Sequence, residues 1–253
     1  MKTTTKLISA SALALLAIST ATTSVLADPL APSTATSTGK VGIKEGTDTK
    51  PTDPVDPTDP TKPIDPSKPI DPGDPDNPGT GNPGPLSIDY VSNINFGMND
   101  YSGDAITISP MKLDADGNAT TTPIERNPWV QLTDKRNTGK GWTLSVNYDA
   151  DGWISTDGTK KPLKGAVLTL GDASFTAKDS SNQSGAPTHP GDIATTQIGS
   201  DSQIIGQAGT DAGMGTWFEE FDKTTTTLMI PAGNTAGSYQ ANLNWTLAEV
   251  PEA

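Results

Sequence analysis

A chain of 253 residues with 30 acidic and 17 basic side chains carries a formal charge of −13. That field repels nucleic acid and anionic lipid, so neither is expected as a partner. Cysteine is absent, which excludes disulfides, Cys-zinc sites, thiol catalysis and lipid attachment through an N-terminal Cys.

The chain opens with Lys2 and Lys6, an apolar run from Leu7 to Ile18, and the small-residue pattern Val25-Leu26-Ala27. This is the pattern of a secretory signal peptide cut between Ala27 and Asp28. The apolar run falls short of the ~20 residues that span a bilayer. No later segment is apolar enough, so the mature chain is expected to be exported without a transmembrane segment. The C-terminus, Glu249 to Ala253, carries neither a hydrophobic tail nor an LPxTG-type sorting signal. A secreted chain of this kind needs a non-covalent hold to stay on a cell.

Residues 28–85 read as a disordered linker. Up to about residue 51 they are rich in Thr, Ser, Ala and Gly, too poor in large apolar side chains to form a core. From Thr52 to Pro78 a triplet repeat follows, with proline in every third place and mostly Asp before it. That period matches polyproline II, which needs no internal hydrogen bonds. At ~3.1 Å per residue the repeat spans on the order of 80 Å. Gly79, Gly81, Asn82 and Gly84 then form a flexible joint.

From Leu86 to the end the apolar period becomes two, as in half-buried strands. Leu86, Ile88 and Tyr90 alternate with polar residues, as do Ile106 and Ile108. Trp142, Leu144, Val146 and Tyr148 follow the same rule, and so do Tyr239, Ala241, Leu243, Trp245 and Leu247. Asp116-Gly117, Asp151-Gly152 and Asp157-Gly158 mark turns. No window keeps a helical stripe. Residues 86–253 therefore read as one all-β domain, a single antiparallel β-sandwich. Within it, residues 180–215 read as a long polar loop around a short strand near Ile204-Ile205.

Two tripeptides repeat, Trp142-Thr143-Leu144 and Trp245-Thr246-Leu247. On a strand, Trp and Leu two apart share one face. Either both pairs are core, or an indole lines a groove and stacks on sugar rings or peptide chains. The Asp114–Asn118 stretch has the opening spacing of a calcium loop, but it lacks the later bidentate Glu and reads as a hairpin turn. His189, the one histidine, has no nucleophile motif beside it and reads as a solvated loop residue. No catalytic residue, metal site or cofactor is expected.

The two W-x-L tripeptides, about a hundred residues apart, resemble the signature of the WxL-domain surface proteins of Gram-positive bacteria. So do LSIDYVSNINFG over 86–97, RNPWVQLTDKR over 126–136, GMGTW over 213–217 and GSYQANLNWTL over 237–247. The resemblance implies non-covalent attachment to peptidoglycan at the cell surface, within complexes of membrane-anchored or sortase-anchored proteins. For some members it also implies adhesion to host matrix. The alternative is an adhesin or structural subunit whose main contact is another surface protein. The candidate ligand-binding residues are Trp142, Leu144, Tyr239, Trp245 and Leu247, which either shape the binding surface or hold the sheet that presents it.

Overall fold

The protein is a computed structural model in which residues 33–61, 77–114, 116, 118–192 and 196–250 are described. Two units are distinguished, Met1–Gly42 and Ile43–Ala253. In the first, residues 33–42 form neither helix nor strand. The leader and its expected cut at Ala27–Asp28, and residues 62–76 of the triplet run, lie outside the described residues.

The second unit is all-β. Its strands are β1 (Leu86–Val91), β2 (Ile106–Ile108), β3 (Met111–Leu113), β4 (Ala119–Pro123) and β5 (Trp129–Asp134). Next come β6 (Trp142–Tyr148), β7 (Ile154–Ser155), β8 (Val167–Leu170), β9 (Ala173–Ala177) and β10 (Thr196–Gln197). The last are β11 (Gln203–Ala208), β12 (Gly215–Phe221), β13 (Thr227–Ile230), β14 (Tyr239–Gln240) and β15 (Leu243–Glu249). A 3-10 turn at Pro190–Asp192 is the one helical element among the described residues.

All strand pairs are antiparallel. The sheets run β1-β5-β12-β9, β10-β8-β13-β2 and β11-β6-β15, with two ribbons, β14-β7 and β3-β4. Side chains of all three larger sheets meet in one core that includes Ile88, Leu132, Leu144, Val146, Leu168 and Phe221. Each such side chain contributes about 1.5–3 kcal/mol by leaving water. β6 shows the expected alternation, its odd-facing residues intermediate and its Trp, Leu, Val and Tyr buried.

β5 departs from that rule, for all six of its residues are buried. One face, with Val130 and Leu132, joins the core. The other carries Trp129, Gln131 and Thr133, and residues upstream of β1 cover it. Val55 is buried against Tyr90, Trp129 and Phe218, and its N–H donates to Gln131 Oε1 at 2.8 Å. The compact unit takes in residues from Ile43 on, within the stretch read as linker. An aliphatic residue inside an Asp-Pro run, with no apolar alternation around it, carries no strand signal, so its burial is a tertiary fact.

The polar loop is likewise pinned. Thr188 and Gln207 exchange backbone hydrogen bonds of 2.8 Å, and Gly185 bridges Ala212. His189 is not solvated as expected. It stacks on Phe175 with ring centroids 4.9 Å apart, and its Nε2 lies 3.3 Å from Oε1 of the fully buried Glu219. Burial pushes the Glu219 carboxyl above the ordinary range, and His189 draws it part of the way back.

Candidate functional site

The two W-x-L tripeptides lie side by side. In the β6–β15 register, Leu144 is opposite Leu247, Trp245 opposite Val146, and Trp142 opposite Glu249. The leucines face each other between the two indoles, with Trp142 at one end of the strand pair and Trp245 in its interior. Their environments differ sharply.

Trp142 is 1 % exposed and Leu144 0 %. The Trp142 N–H donates to Gly213 O at 3.1 Å, and its ring meets Phe175 edge-on with centroids 6.1 Å apart. Gly213 has φ +72°, and a Cβ there would stand 2.5 Å from the indole nitrogen. The GMGTW block therefore needs that glycine to seat Trp142. Both Trp142 and Leu144 thus lie in the core beneath β6.

Trp245 and Tyr239, by contrast, line a groove of about 1050 Å³. β15 alternates so that Leu243, Trp245 and Leu247 are half-buried while Asn244 and Thr246 are exposed. Leu247 packs against the core beneath and does not line the groove. The Trp245 ring rests on Phe221, centroids 6.1 Å apart. Across the groove stand Phe96, Met98 and Tyr101 from the segment after β1, together with Trp153 before β7.

The polar tips of Trp153, Tyr101 and Tyr239 are committed to the protein. Trp153 Nε1 donates to the Tyr148 hydroxyl at 2.9 Å, which also accepts the Leu168 N–H at 3.1 Å. Burial raises the Tyr148 hydroxyl above the ordinary phenol value, against those two hydrogen bonds, so it stays protonated at neutral pH. Tyr101 donates to Pro231 O at 2.8 Å and accepts from the Asn234 N–H at 3.1 Å. Tyr239 donates to Thr235 O at 2.9 Å. A ligand in the groove therefore meets ring faces and aliphatic edges, with asparagine side chains such as Asn99 and Asn242 interspersed. Among the lining residues, Asp100 and Arg126 carry charge. Such a groove selects for shape and apolar surface with hydrogen-bonding edges, and not for charge.

Tyr101, Trp153, Phe96 and Met98 were not foreseen as site residues. Trp153 follows the Asp151-Gly152 turn and Tyr101 lies in a polar stretch. An isolated aromatic in a turn-rich segment was the available signal, and no strand pattern supported it.

Asp114 makes a turn. Its Oδ1 accepts the N–H groups of Asp116 at 2.9 Å and Asn118 at 2.8 Å, closing the β3–β4 ribbon. No group of three or more acidic or histidine side chains suited to a metal occurs among the described residues.

The model of the WxL domain, described as surface cell wall-binding, matches residues 31–251. The chain belongs to the WxL family. This agrees with the pairing of the two tripeptides on neighbouring strands, and it establishes a cell wall-binding surface domain. The match also takes in residues upstream of β1, which the packing of Val55 explains structurally. No curated protein and no solved structure matches the chain. No helix among the described residues is long and apolar enough to cross a membrane.

Proposed function

We propose that this WxL domain retains the exported chain on the wall by taking peptidoglycan, non-covalently, into the groove lined by Tyr101, Trp153, Tyr239 and Trp245. The observation that carries this reading is the set of aromatic rings lining one groove, with the polar tips of Tyr101, Trp153 and Tyr239 already satisfied by the protein. Sugar rings stack on such faces, and stem-peptide side chains fill the aliphatic edges between them. Bulk electrostatics does not drive the contact, because a chain of −13 is repelled by anionic wall polymers. Binding should accordingly change little with salt.

Co-sedimentation of the full mature chain with protein-free sacculi tests this at low and high ionic strength. The chain should pellet in both. Met98 lines the groove while 65 % exposed, so Met98→Asp places a charge at the rim at little cost to the core. Together with Tyr239→Ala it should weaken retention by about tenfold or more, a loss of about 1.4 kcal/mol, with an unchanged melting curve. Failure of the unsubstituted chain to pellet with bare sacculi at any ionic strength would sink the proposal. So would retention indifferent to both substitutions.

A further inference from the structure

The outer face of the β1-β5-β12-β9 sheet holds a second construction, which shares Arg126 with the lining of the groove. Four buried polar side chains sit there: Ser87, Asp89, Gln131 and Thr133. Asp89 Oδ2 accepts from Gln131 Nε2 at 2.9 Å and from Thr133 Oγ1 at 2.6 Å, and Oδ1 accepts from Ser87 Oγ at 2.6 Å. This network fixes the Gln131 amide. Gln131 then reads a backbone: its Oε1 accepts the Val55 N–H at 2.8 Å, and its Nε2 reaches Asp53 O at 3.3 Å. That is the hydrogen-bonding pattern a neighbouring strand would offer, supplied by one side chain.

Each residue of the bound segment meets a matching feature. Pro54 lies against Gly79, where a Cβ would come within 2.5 Å of the proline ring. The Val55 side chain fills the pocket of Tyr90, Trp129 and Phe218, the first two with ring centroids 4.7 Å apart. Asp56 forms an ion pair with Arg126, and its Oδ1 also accepts from the Thr58 N–H and hydroxyl, at 2.9 and 2.7 Å. Simple burial of the sheet face would be served by apolar side chains. A buried amide oriented by a buried carboxylate costs desolvation unless a peptide backbone completes it. Trp129 Nε1 is buried here without a partner, a donor that the segment leaves unused.

We propose that this face is a peptide-recognition site for an extended Pro-aliphatic-Asp-Pro segment. Its occupant in the structure is the chain's own Pro54-Val55-Asp56-Pro57, and it accepts the same sequence from a second copy of the chain. The linker spells the motif twice more, as Pro63-Ile64-Asp65-Pro66 and Pro69-Ile70-Asp71-Pro72. One chain thus carries one reader and three ligands, which favours exchange between copies crowded on a surface. The intramolecular segment acts at the high effective concentration of a short tether and holds the site by default.

The test uses the full mature chain, a labelled peptide of residues 52–58 and fluorescence anisotropy. Substituting Val55, Ile64 and Ile70 together by Asp removes the competing motifs without touching the reader. The substituted chain should bind the peptide at least about tenfold more tightly than the unsubstituted chain, whose site is filled. A peptide with Val→Asp should not bind, and Arg126→Gln should abolish the preference for Asp over Asn at the position of Asp56. The proposal is overturned if the substituted chain melts normally yet ignores the peptide, or binds the Val→Asp peptide equally well. If the substituted chain does not fold, amide exchange decides. Protection of the Val55 N–H in the unsubstituted chain that drops about tenfold in Asp56→Asn supports recognition; exchange at the rate of a free peptide, or no change on substitution, refutes it.

Discussion

Trp142→Ala separates a residue that holds the fold from one that touches the wall. The indole is 1 % exposed, packs edge-on to Phe175, and donates to Gly213 O. Truncating a buried Trp to Ala costs about 3–5 kcal/mol. Loss of the indole donor to the Gly213 carbonyl pushes the cost toward the upper end, because an unsatisfied buried acceptor costs a further share of about 1–3 kcal/mol. With a loss of about 4–5 kcal/mol, a domain of this size should melt about 8–20 °C lower. Calorimetry on the mature chain gives the melting point, and sacculus co-sedimentation well below the variant's melting point gives the binding. The expected outcome is a large drop in melting temperature with retention intact while the variant is folded. A variant that melts like the unsubstituted chain but no longer pellets would refute the argument, because it would place Trp142 at the ligand.

Arg136 closes one end of the domain. It forms a fork with the buried Asp134, Nε to Oδ1 at 3.0 Å and Nη2 to Oδ2 at 2.7 Å, and also donates from Nη2 to Gly141 O at 2.8 Å. Its Nη1 faces Glu249 Oε2 of β15 at 2.9 Å. Arg136→Met should cost about 3–5 kcal/mol in urea denaturation, since Asp134 is left buried and unpaired. Arg136→Lys should recover part of it, because an ammonium cannot reproduce the fork. A cost below about 1 kcal/mol would show the pair to be dispensable. The raised Glu219 carboxyl makes stability depend on pH. The folded state keeps a proton that the unfolded chain releases, so stability falls as pH rises from the ordinary 4.5 through the raised value. Glu219→Gln removes that fall. Its melting temperature should match the unsubstituted chain near pH 4.5 and exceed it increasingly toward neutrality. A gap that is constant across this range would mean that Glu219 is not the group responsible.

Local patterning determined much of this protein. Alternation at Trp142–Tyr148 and Leu243–Glu249 announced β6 and β15, since a strand that buries one face must repeat every two residues. The absence of a helical stripe announced the all-β class, and the spaced W-x-L blocks announced the family. Long-range packing decided the rest. Trp142 and Trp245 are each followed by Thr-Leu, yet one is sealed by Gly213 and Phe175 while the other borders a groove. That difference depends on residues some seventy positions away from Trp142 in the chain. Val55 and His189 sit in segments without periodicity. Their burial follows from partners on β5, β9 and β12, which no local pattern can display. Period and composition are properties of adjacent residues, so they specify elements and class. Which faces are covered, and by what, depends on distant residues brought together, and only the folded arrangement contains that information.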